Sequence, residues 1–384
     1  MQEFTYIAYA QEIIFGAGTL ARLGEAVDRF RWQRLILCTS PSLRPNGHVA
    51  PIEAALRQRL VAIYEQTQSH VLDFQLAEAL EIAAQAKVDA VIGLGGGSPI
   101  GLAKAVSLAL EERRTGQPAR AAFPTDQPLV PVIAIPTTYA GSEMTPVYGV
   151  TRQTEGTTRK ITVKDAKIAP KLVIYDPLLT LNLPPGVTAG TGINALAHCI
   201  EALYSVTRHP LSTAAALSGI RYITRSLPRC YAYGDDLEAR TEMLLGAHLG
   251  GTALASVSMG LHHGLCHVLG GTAGVPHGVA NGIILPHAMR FNLDATASQL
   301  AQAAAAMGLE LKDQSDEAAG EAAAQHVYNL ISQLGLPQRL REAGVNEADL
   351  PHLAQLALKS SAVKSNPKPL TDAAQVEAIF RAAW

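Results

Sequence analysis

Residues 260–287 read GLHHGLCHVLGGTAGVPHGVANGIILPH, and this stretch holds five of the chain's twelve histidines: His262, His263, His267, His277 and His287. Side chains four residues apart share a helix face, so the pattern predicts that His263 and His267 lie side by side. Gly270-Gly271 is predicted to end that helix, and Pro276-His277-Gly278 to offer a third imidazole from a turn. Convergent imidazoles suit a metal ion, a proton relay or an anion pocket. The alternative is a buried helix whose histidines are satisfied by their neighbours.

A second helical stretch upstream shows the same spacing. In TGINALAHCIE, residues 191–201, Asn194 and His198 share a face. Together the two helices could bring four side chains to one centre, with His267 just behind them: Asn194, His198, His263 and His277. Aspartate at position 194 would complete a good divalent-metal site, whereas the neutral amide of asparagine is a weak ligand. The pattern is that of a metal site whose anionic ligand has been removed.

Length and composition describe an ordinary globular protein. The 384 residues suffice for two or three domains, and the chain has 48% apolar residues and a net charge of -2. Neither charge sign dominates and aromatic residues make up only 5%, so we expect no nucleic-acid or membrane partner. The scattered cysteines lack CxxC spacing, which indicates reduced thiols in a cytoplasmic protein. We recognise no signal peptide and no apolar run of about 18 residues, so secretion and membrane spanning are not expected.

The first half of the chain alternates strand and helix patterns. Predicted strands lie at 12–18, where the strand runs into a glycine turn, and at 34–40, 62–65, 90–94 and 130–135. Predicted helices lie at 20–30, 52–60 and 76–86. Such alternation predicts a mostly parallel sheet covered on both faces. The polar, proline-containing stretch 111–128 is predicted to be a surface loop.

The pattern changes after about residue 181. Leu183-Pro184-Pro185-Gly186 is typical of a hinge, and long helical patterns rich in alanine and leucine follow it, including 193–204, 210–226 and 237–256. The expected fold is therefore an α/β N-terminal domain with a mostly parallel sheet, residues 1–182, and an all-helical C-terminal domain, residues 183–384. We expect the catalytic cleft between the two.

A glycine loop follows the predicted strand at 90–94. The sequence GLGGGSP, residues 93–99, passes into a helix that runs through Lys104. Consecutive glycines allow positive φ and let backbone N–H groups approach a phosphate, which the helix N-terminus also favours. The alternative is a plain strand-to-helix turn, since neither of the two best-known phosphate-binding fingerprints is present. A second loop, PTTYAGSEMTP at 136–146, places hydroxyl groups at a strand end, where open α/β sheets bind ligands.

These motifs together resemble those of the group III, or iron-containing, alcohol dehydrogenases, a family of dehydroquinate synthase-like architecture. The matching pieces run nearly end to end: FGAG, GGGSP, PTT, NALAHCIEA, GLHHGLCHVLGG and GVPHGVANGIILPH. Within that family the chain is most similar to the maleylacetate reductase branch. In metal-dependent relatives the 137–146 loop is one residue longer, and aspartate stands at the positions of Gly101 and Asn194. The ending from Asn366 to Trp384 also fits the branch, whereas the 111–128 loop is longer than expected.

The resemblance implies that residues 1–182 form a dinucleotide-binding domain for a nicotinamide cofactor and that residues 183–384 form the catalytic domain, and it assigns residues to the cofactor. Gly95, Gly96, Gly97 and Ser98 would hold the pyrophosphate. Thr137 and Thr138 would contact the pyrophosphate or the nicotinamide side, and Lys160 would lie along the cofactor. Ser40 stands where many relatives place an aspartate on the adenosine ribose. Serine does not repel the 2′-phosphate of NADPH, so either NADH or NADPH is expected.

The reaction implied is reduction of the carbon–carbon double bond of 2-maleylacetate, a dicarboxylate keto acid, to 3-oxoadipate in the degradation of aromatic compounds. Hydride addition β to the ketone leaves an enolate, which needs charge stabilisation and a proton rather than a metal ion. The candidate donors are Tyr139, His198, His263, His267 and His277, with Asn194 at the centre. Relatives also imply a homodimer.

Two other functions stay open from the sequence. One is a metal-dependent alcohol dehydrogenase of this family that tolerates Asn194 and acts on a small aldehyde or alcohol. Metal analysis of the purified protein would distinguish it. The other is a non-catalytic binding or scaffold protein on this fold, which a cofactor titration would distinguish. The intact glycine and histidine motifs argue against this last possibility.

Overall fold

The computed structural model describes residues 3–68, 71–154 and 157–384, and the side chains of residues 152–160 lie outside this description. The chain forms two compact units. Ile7–Leu183 is here called the α/β unit. Pro184–Trp384, with the N-terminal residues up to Tyr6, is called the helical unit.

The α/β unit alternates strands and helices along the chain. Its strands are β1 Glu12–Phe15, β2 Leu35–Cys38, β3 Leu60–Tyr64, β4 Ala90–Gly95, β5 Val132–Pro136, β6 Val147–Thr154, β7 Thr157–Lys164 and β8 Leu172–Tyr175. Its α-helices are α1 Leu23–Phe30, α2 Val49–Leu56, α3 Asp73–Gln85 and α4 Gly97–Thr115.

The main sheet has six strands in the order β1-β8-β5-β4-β2-β3, and its paired strands are parallel. The predicted parallel α/β class is therefore confirmed. From β2 the chain continues to β3 on one side, whereas from β4 it continues to β5 on the other. The carboxyl ends of β2 and β4 consequently flank the point where the connections reverse, which is where open α/β sheets bind ligands.

Burial on both faces explains why the strands are runs of apolar residues rather than alternating patterns. Leu35, Leu37 and Ile92 point into one core, which also takes residues of α1 and α2. Ile36 and Val91, the alternate residues, point into the opposite core with residues of α3 and α4. The helices on both faces thus fix the sheet whose strand ends carry the glycine loop.

Several predicted boundaries in this unit were wrong. The predicted helix 20–30 begins as a 3-10 turn at Thr19–Arg22 and becomes α-helical at Leu23. The predicted helix 52–60 ends at Leu56 because Arg57 has a φ of 51°, and β3 begins at Leu60. The predicted loop 111–128 begins as helix, since α4 continues to Thr115 and ends at Gly116. The antiparallel hairpin of β6 and β7 was not predicted.

The helical unit has α-helices throughout. They are α5 Pro185–Tyr204, α6 Pro210–Ala232, α7 Leu237–Ser256, α8 Leu261–Thr272, α9 His277–Ala306, α10 Asp316–Gln333, α11 Leu350–Ala357, α12 Ser361–Lys364 and α13 Ala373–Ala382. α7 has the predicted bounds. α5 begins at Pro185 rather than at residue 193, because proline is well suited to the first helical position.

The two histidine-bearing helices depart from the sequence expectation at their ends. α8 does not end at Gly270-Gly271 but continues to Thr272, and the chain turns at Gly274, which has a φ of 68°. His277 is not in a turn but is the first residue of α9, directly after Pro276. The imidazole of His277 therefore projects from a helix start, a more rigid base than a loop.

A glycine contact brings α5 and α9 together beside His277. A Cβ atom placed on Gly278 would lie 2.8 Å from the Cα atom of Gly190, which is too close for any side chain. Glycine at both positions lets the two backbones touch. This contact sets the start of α9 against α5 one turn before Asn194.

No single helix in the residues described is long and apolar enough to cross a membrane. Only α7 and α8 taken together reach that length and composition, and they are bent by 98° at the break between them.

Candidate active site

Four imidazoles form a cluster in the helical unit, here called the histidine cluster: His198 from α5, His263 and His267 from α8, and His277 from α9. The rings of His198 and His263 are stacked, with centroids 4.9 Å apart. The ring of His277 lies 6.5 Å from that of His263 and 5.9 Å from that of His267. The structure thus brings together the histidines that the sequence assigned to one centre.

The histidine cluster runs from the interior to the surface. His198 is 3% exposed and His263 is 5% exposed. His277 is half-buried and His267 is exposed. Asn194 lies one turn before His198 on α5 and is buried. Solvent therefore reaches the cluster from the His267 end, while the stacked pair forms its inner wall.

A buried carboxylate from α5 joins the two histidine helices. Glu201 is 1% exposed, and its Oε2 atom accepts a hydrogen bond from Nδ1 of His263 at 2.5 Å. Its Oε1 atom accepts from the backbone N–H of His262 at 3.0 Å, and its Oε2 atom also accepts from the backbone N–H of His263 at 3.3 Å. The N-cap of α8 is Gly260, which has no side chain. Glu201 therefore caps α8 from another helix.

The Glu201 contact defines which nitrogen of His263 bears its proton. Burial by itself would raise the pKa of Glu201, but the His263 imidazole and its hydrogen bond outweigh burial and lower this pKa below its usual value. An ionised carboxylate only accepts hydrogen bonds, so Nδ1 of His263 is the donor. The Nε2 atom of His263 is buried and has no hydrogen-bond partner among the residues described. This nitrogen is therefore the ring atom of His263 that can bind a ligand.

The other buried imidazoles are held neutral. Burial, and then the neighbouring imidazoles, keep the pKa of His198 well below its usual range. Burial lowers the pKa of His262 to about 3. Its Nε2 atom faces the backbone carbonyl of Asn281 at 3.3 Å, so His262 supports the site from behind. His287, the fifth histidine of the 260–287 stretch, lies further along α9, where burial lowers its pKa to about 4.

The side chains present fit a divalent metal ion poorly. The predicted centre of Asn194, His198, His263 and His277 contains no anionic ligand, and zinc and iron sites in proteins usually include one or compensate for its loss. Glu201, His262 and His263 form another possible ligand set, with one atom of each within 4.8 Å of the others. A metal ion there would displace the proton between Glu201 and His263 and compete with the cap of α8.

In the α/β unit, the glycine loop has the shape of a phosphate cradle. β4 ends at Gly95, which has a φ of 135°, and α4 begins at Gly97. Gly95 is the one glycine of the three with a positive φ, and the φ of Gly96 is -83°. Space is the constraint at Gly96, because a Cβ atom there would lie 3.2 Å from Oγ1 of Thr138.

The loop after β5 faces the glycine loop. The backbone N–H of Thr137 donates to the carbonyl of Gly95 at 3.0 Å. Oγ1 of Thr138 is buried and has no hydrogen-bond partner in the described part of the chain. An unsatisfied hydroxyl beside a glycine backbone suits the phosphate or amide oxygens of a dinucleotide. Ser98 lies in the first turn of α4 and is half-buried.

The other three predicted site residues of the α/β unit lie on different elements. Ser40 follows β2 at the sheet's reversal point and is half-buried. Lys160 lies on β7, but its side chain is outside the described residues. Tyr139 is fully buried in the α/β unit. Sequence reasoning gave no role to Glu201, although its position three residues after His198 puts both on one helix face.

Comparisons with known proteins identify the family. Residues 10–177 match the iron-containing alcohol dehydrogenase family, and residues 188–384 match the C-terminal part of the Fe-containing alcohol dehydrogenase family. A maleylacetate reductase of Pseudomonas knackmussii is 37% identical over 97% of this chain and 95% of its own length.

Solved structures of relatives agree. The crystal structure of maleylacetate reductase from Agrobacterium tumefaciens is 32% identical, with a TM-score of 0.84 over 100% of this chain and 99% of that one. The structure of a 1,3-propanediol oxidoreductase is 31% identical, with a TM-score of 0.92 over 100% of both chains. The chain is therefore an oxidoreductase and belongs to the iron-containing alcohol dehydrogenase family.

Proposed function

We propose that this protein uses NADH or NADPH to reduce the carbon–carbon double bond of 2-maleylacetate, giving 3-oxoadipate, without a metal ion. The observation that carries the proposal is that Asn194, one turn from His198 on α5, supplies no charge, and that the carboxylate of Glu201 is bonded to His263. Relatives that are maleylacetate reductases, at 33–37% identity over nearly the full chain, support the same substrate.

The substrate's chemistry matches such a centre. The double bond of 2-maleylacetate is conjugated to a ketone, so hydride adds to the carbon β to that ketone. The electron pair moves to the ketone oxygen and forms an enolate. The enolate then takes a proton on the α carbon, and the ketone is restored. Hydrogen-bond donors aimed at the oxygen stabilise such a charge without a metal ion.

The chain's own residues have separate roles in this scheme. When bound, the nicotinamide supplies the hydride. Gly95, Gly96 and Gly97 would hold its pyrophosphate, with Thr137 and Thr138 on the facing loop. Ser40 carries no charge to repel the 2′-phosphate of NADPH, which supports the use of either cofactor.

The histidine cluster would bind and protonate the substrate. Glu201 binds the Nδ1 side of His263 and so leaves its Nε2 atom on the opposite side of the ring. Exposed His267 and half-buried His277 would meet a carboxylate or the ketone oxygen of a substrate arriving from solvent, and would donate to that oxygen as it becomes an enolate. We expect the substrate, a small dicarboxylate, to replace the metal ion of other family members as the partner of these imidazoles.

A metal-dependent alcohol dehydrogenase is the second candidate. The ligand set of Glu201, His262 and His263 favours it, as does the similarity to a 1,3-propanediol oxidoreductase. In that case the wild-type protein would need a divalent ion and would reduce simple aldehydes. A homodimer in the cytoplasm is compatible with both functions.

One experiment separates the two. Oxidation of NADH and of NADPH should be followed with maleylacetate, set beside short aldehydes and with alcohols in the reverse direction, before and after dialysis against EDTA. The proposal expects turnover with maleylacetate that survives EDTA, and little with the aldehydes. Turnover that is lost on chelation and restored by zinc or ferrous iron would favour the metal-dependent function.

A further inference from the structure

A fully buried lysine lies two turns into the helix that follows the glycine loop. Lys104 is on α4 and is 0% exposed. Its Nζ atom lies near three backbone carbonyl oxygens of the next loop: those of Ser142 at 2.5 Å, Thr145 at 2.7 Å and Val147 at 3.0 Å. These residues all belong to the segment between β5 and the start of β6.

The geometry fits a charged lysine. An ammonium group has three N–H donors, one for each of the three carbonyls, whereas a neutral amine has only two. Burial lowers the pKa of Lys104 to about 7, and the carboxylate of nearby Glu143 acts in the opposite direction. Holding a buried cation is costly, so a residue with no role beyond filling space would more readily be apolar.

The segment that Lys104 holds is the continuation of the loop facing the glycines. A Cβ atom on Gly97 would meet the Cβ atoms of Ala140 and Ser142 at 3.9 Å. The first contact between the two loops is the hydrogen bond from Thr137 to Gly95, at 3.0 Å. Lys104 makes the second connection, at the opposite end of the segment.

We propose that Lys104 is a positioning residue that fixes the gap between the glycine loop and the Thr137–Ser142 segment, and so sets the affinity for the dinucleotide. A backbone hydrogen bond joins the two loops at one end, and the side chain of Lys104 connects the segment to α4 at the other. Removal of the ammonium takes a shared donor from three carbonyls, which would let the gap widen. The inference rests on the proposed function in one respect: that this cradle binds NADH or NADPH.

The test is a binding measurement made without substrate. NADH fluorescence titrations should compare the wild-type protein with Lys104→Met and with Lys167→Met. Lys167 is a matched control, because it is a largely buried lysine of the same unit and donates to Glu111 at 2.5 Å, outside the loop. Lys104→Met should bind NADH at least about tenfold more weakly, since displacements of about 1 Å have effects of this order or larger. Lys167→Met should bind it as the wild type does.

Lys104→Gln is a milder variant that keeps the inference testable if Lys104→Met does not fold. Lys104→Gln keeps two N–H donors, so we expect an affinity between those of the wild type and Lys104→Met. Hydrogen exchange should also be faster at Met144 and Thr145, whose N–H groups donate within the held segment at 3.2 and 3.1 Å. Unchanged NADH affinity and exchange in folded Lys104→Gln would overturn the inference alone. A wild-type protein that binds neither NADH nor NADPH would overturn the proposed cofactor as well.

Discussion

Oε2 of Glu201 lies 2.5 Å from Nδ1 of His263, with both side chains buried. The same carboxylate accepts from two backbone N–H groups at the start of α8. One side chain thus fixes the rotation of an imidazole, the position of its proton and the end of the helix that carries it. The stacked pair of His198 and His263 depends on this arrangement.

Glu201→Gln tests that arrangement. The amide keeps the size of the side chain but loses its charge, and its nitrogen cannot accept from the helix start. We expect kcat with maleylacetate to fall by about 10- to 100-fold, as for supporting residues of other sites, and NADH affinity to stay the same. Stopped-flow kinetics and NADH titration measure the two effects.

Glu321→Gln is the matched control, since Glu321 is a glutamate of the same unit that pairs with Arg290. Its kinetics should equal those of the wild type. Nitrogen-15 NMR of His263 gives an independent readout: the proton should be on Nδ1 in the wild type and shared between both nitrogens in Glu201→Gln. An unchanged tautomer together with unchanged kcat would contradict a positioning role for Glu201.

Asn194→Asp should create a metal site. Aspartate would add the missing anionic ligand beside His198, His263 and His277, so we expect the variant to bind about one equivalent of zinc or ferrous iron. Elemental analysis after dialysis measures it, with Asn194→Asp/His263→Ala as the control that should lose the metal. A wild-type protein that already retains a full equivalent would show that Asn194 does not prevent metal binding.

Gly96→Val should abolish NADH binding. Its Cβ atom would meet Oγ1 of Thr138 at 3.2 Å, and the two methyl groups would fill the space between the loops. Because the φ of Gly96 is -83°, the cause is steric rather than backbone strain, and the variant should fold. Fluorescence titration, with thermal unfolding to check the fold, measures this. A folded variant with normal NADH affinity would show that the loop is only a turn.

Acid should destabilise the protein through His262. Its pKa is about 3 in the folded chain, against an ordinary value of 6.5. Between these values the unfolded chain binds a proton that the folded chain does not. The unfolding free energy is therefore unaffected by this group above pH 6.5 and falls by about 1.4 kcal/mol per pH unit as the pH drops below it.

Urea unfolding between about pH 5 and 6.5 measures this effect apart from that of Glu201, whose lowered pKa acts only below its ordinary value of 4.5. The lowered pKa values of His198 and His287 act in the same range, so the contribution of His262 is the difference between the wild type and His262→Gln. His262→Gln should reduce the number of protons taken up on unfolding, which is obtained from the slope of the unfolding free energy against pH, by up to about one. His352→Gln, at an exposed histidine of α11, should leave it unchanged. Equal slopes in all three proteins would contradict a neutral, buried His262.

The sequence was most informative where local patterns reflect local structure. The spacing of four between Asn194 and His198, and between His263 and His267, is enough to place each pair on one helix face. The apolar runs of β2 and β4 are enough to predict a sheet buried on both sides. α7 has its predicted bounds, and in the structure the side chain of Asp236 caps its start.

The remaining features depend on contacts between distant residues. Gly270-Gly271 read as a helix end, but the turn that ends α8 is made by Gly274. β8 was missed, although it is a buried apolar run of four residues like β2. Lys104 and Glu201 are single charged residues in largely apolar helices, and their positions in the sequence do not identify their partners. Their partners are 38 to 62 positions away along the chain, and only the folded structure joins them.

The most direct test of a metal-free reduction of the double bond is product analysis with labelled cofactor. The EDTA-treated enzyme should be given maleylacetate and NADH deuterated at the transferring position, and the product analysed by NMR. We predict 3-oxoadipate with its ketone intact, deuterium on the carbon β to that ketone and a solvent proton on the α carbon. A secondary alcohol with deuterium on the former carbonyl carbon, or no product until a metal ion is added, would contradict this mechanism.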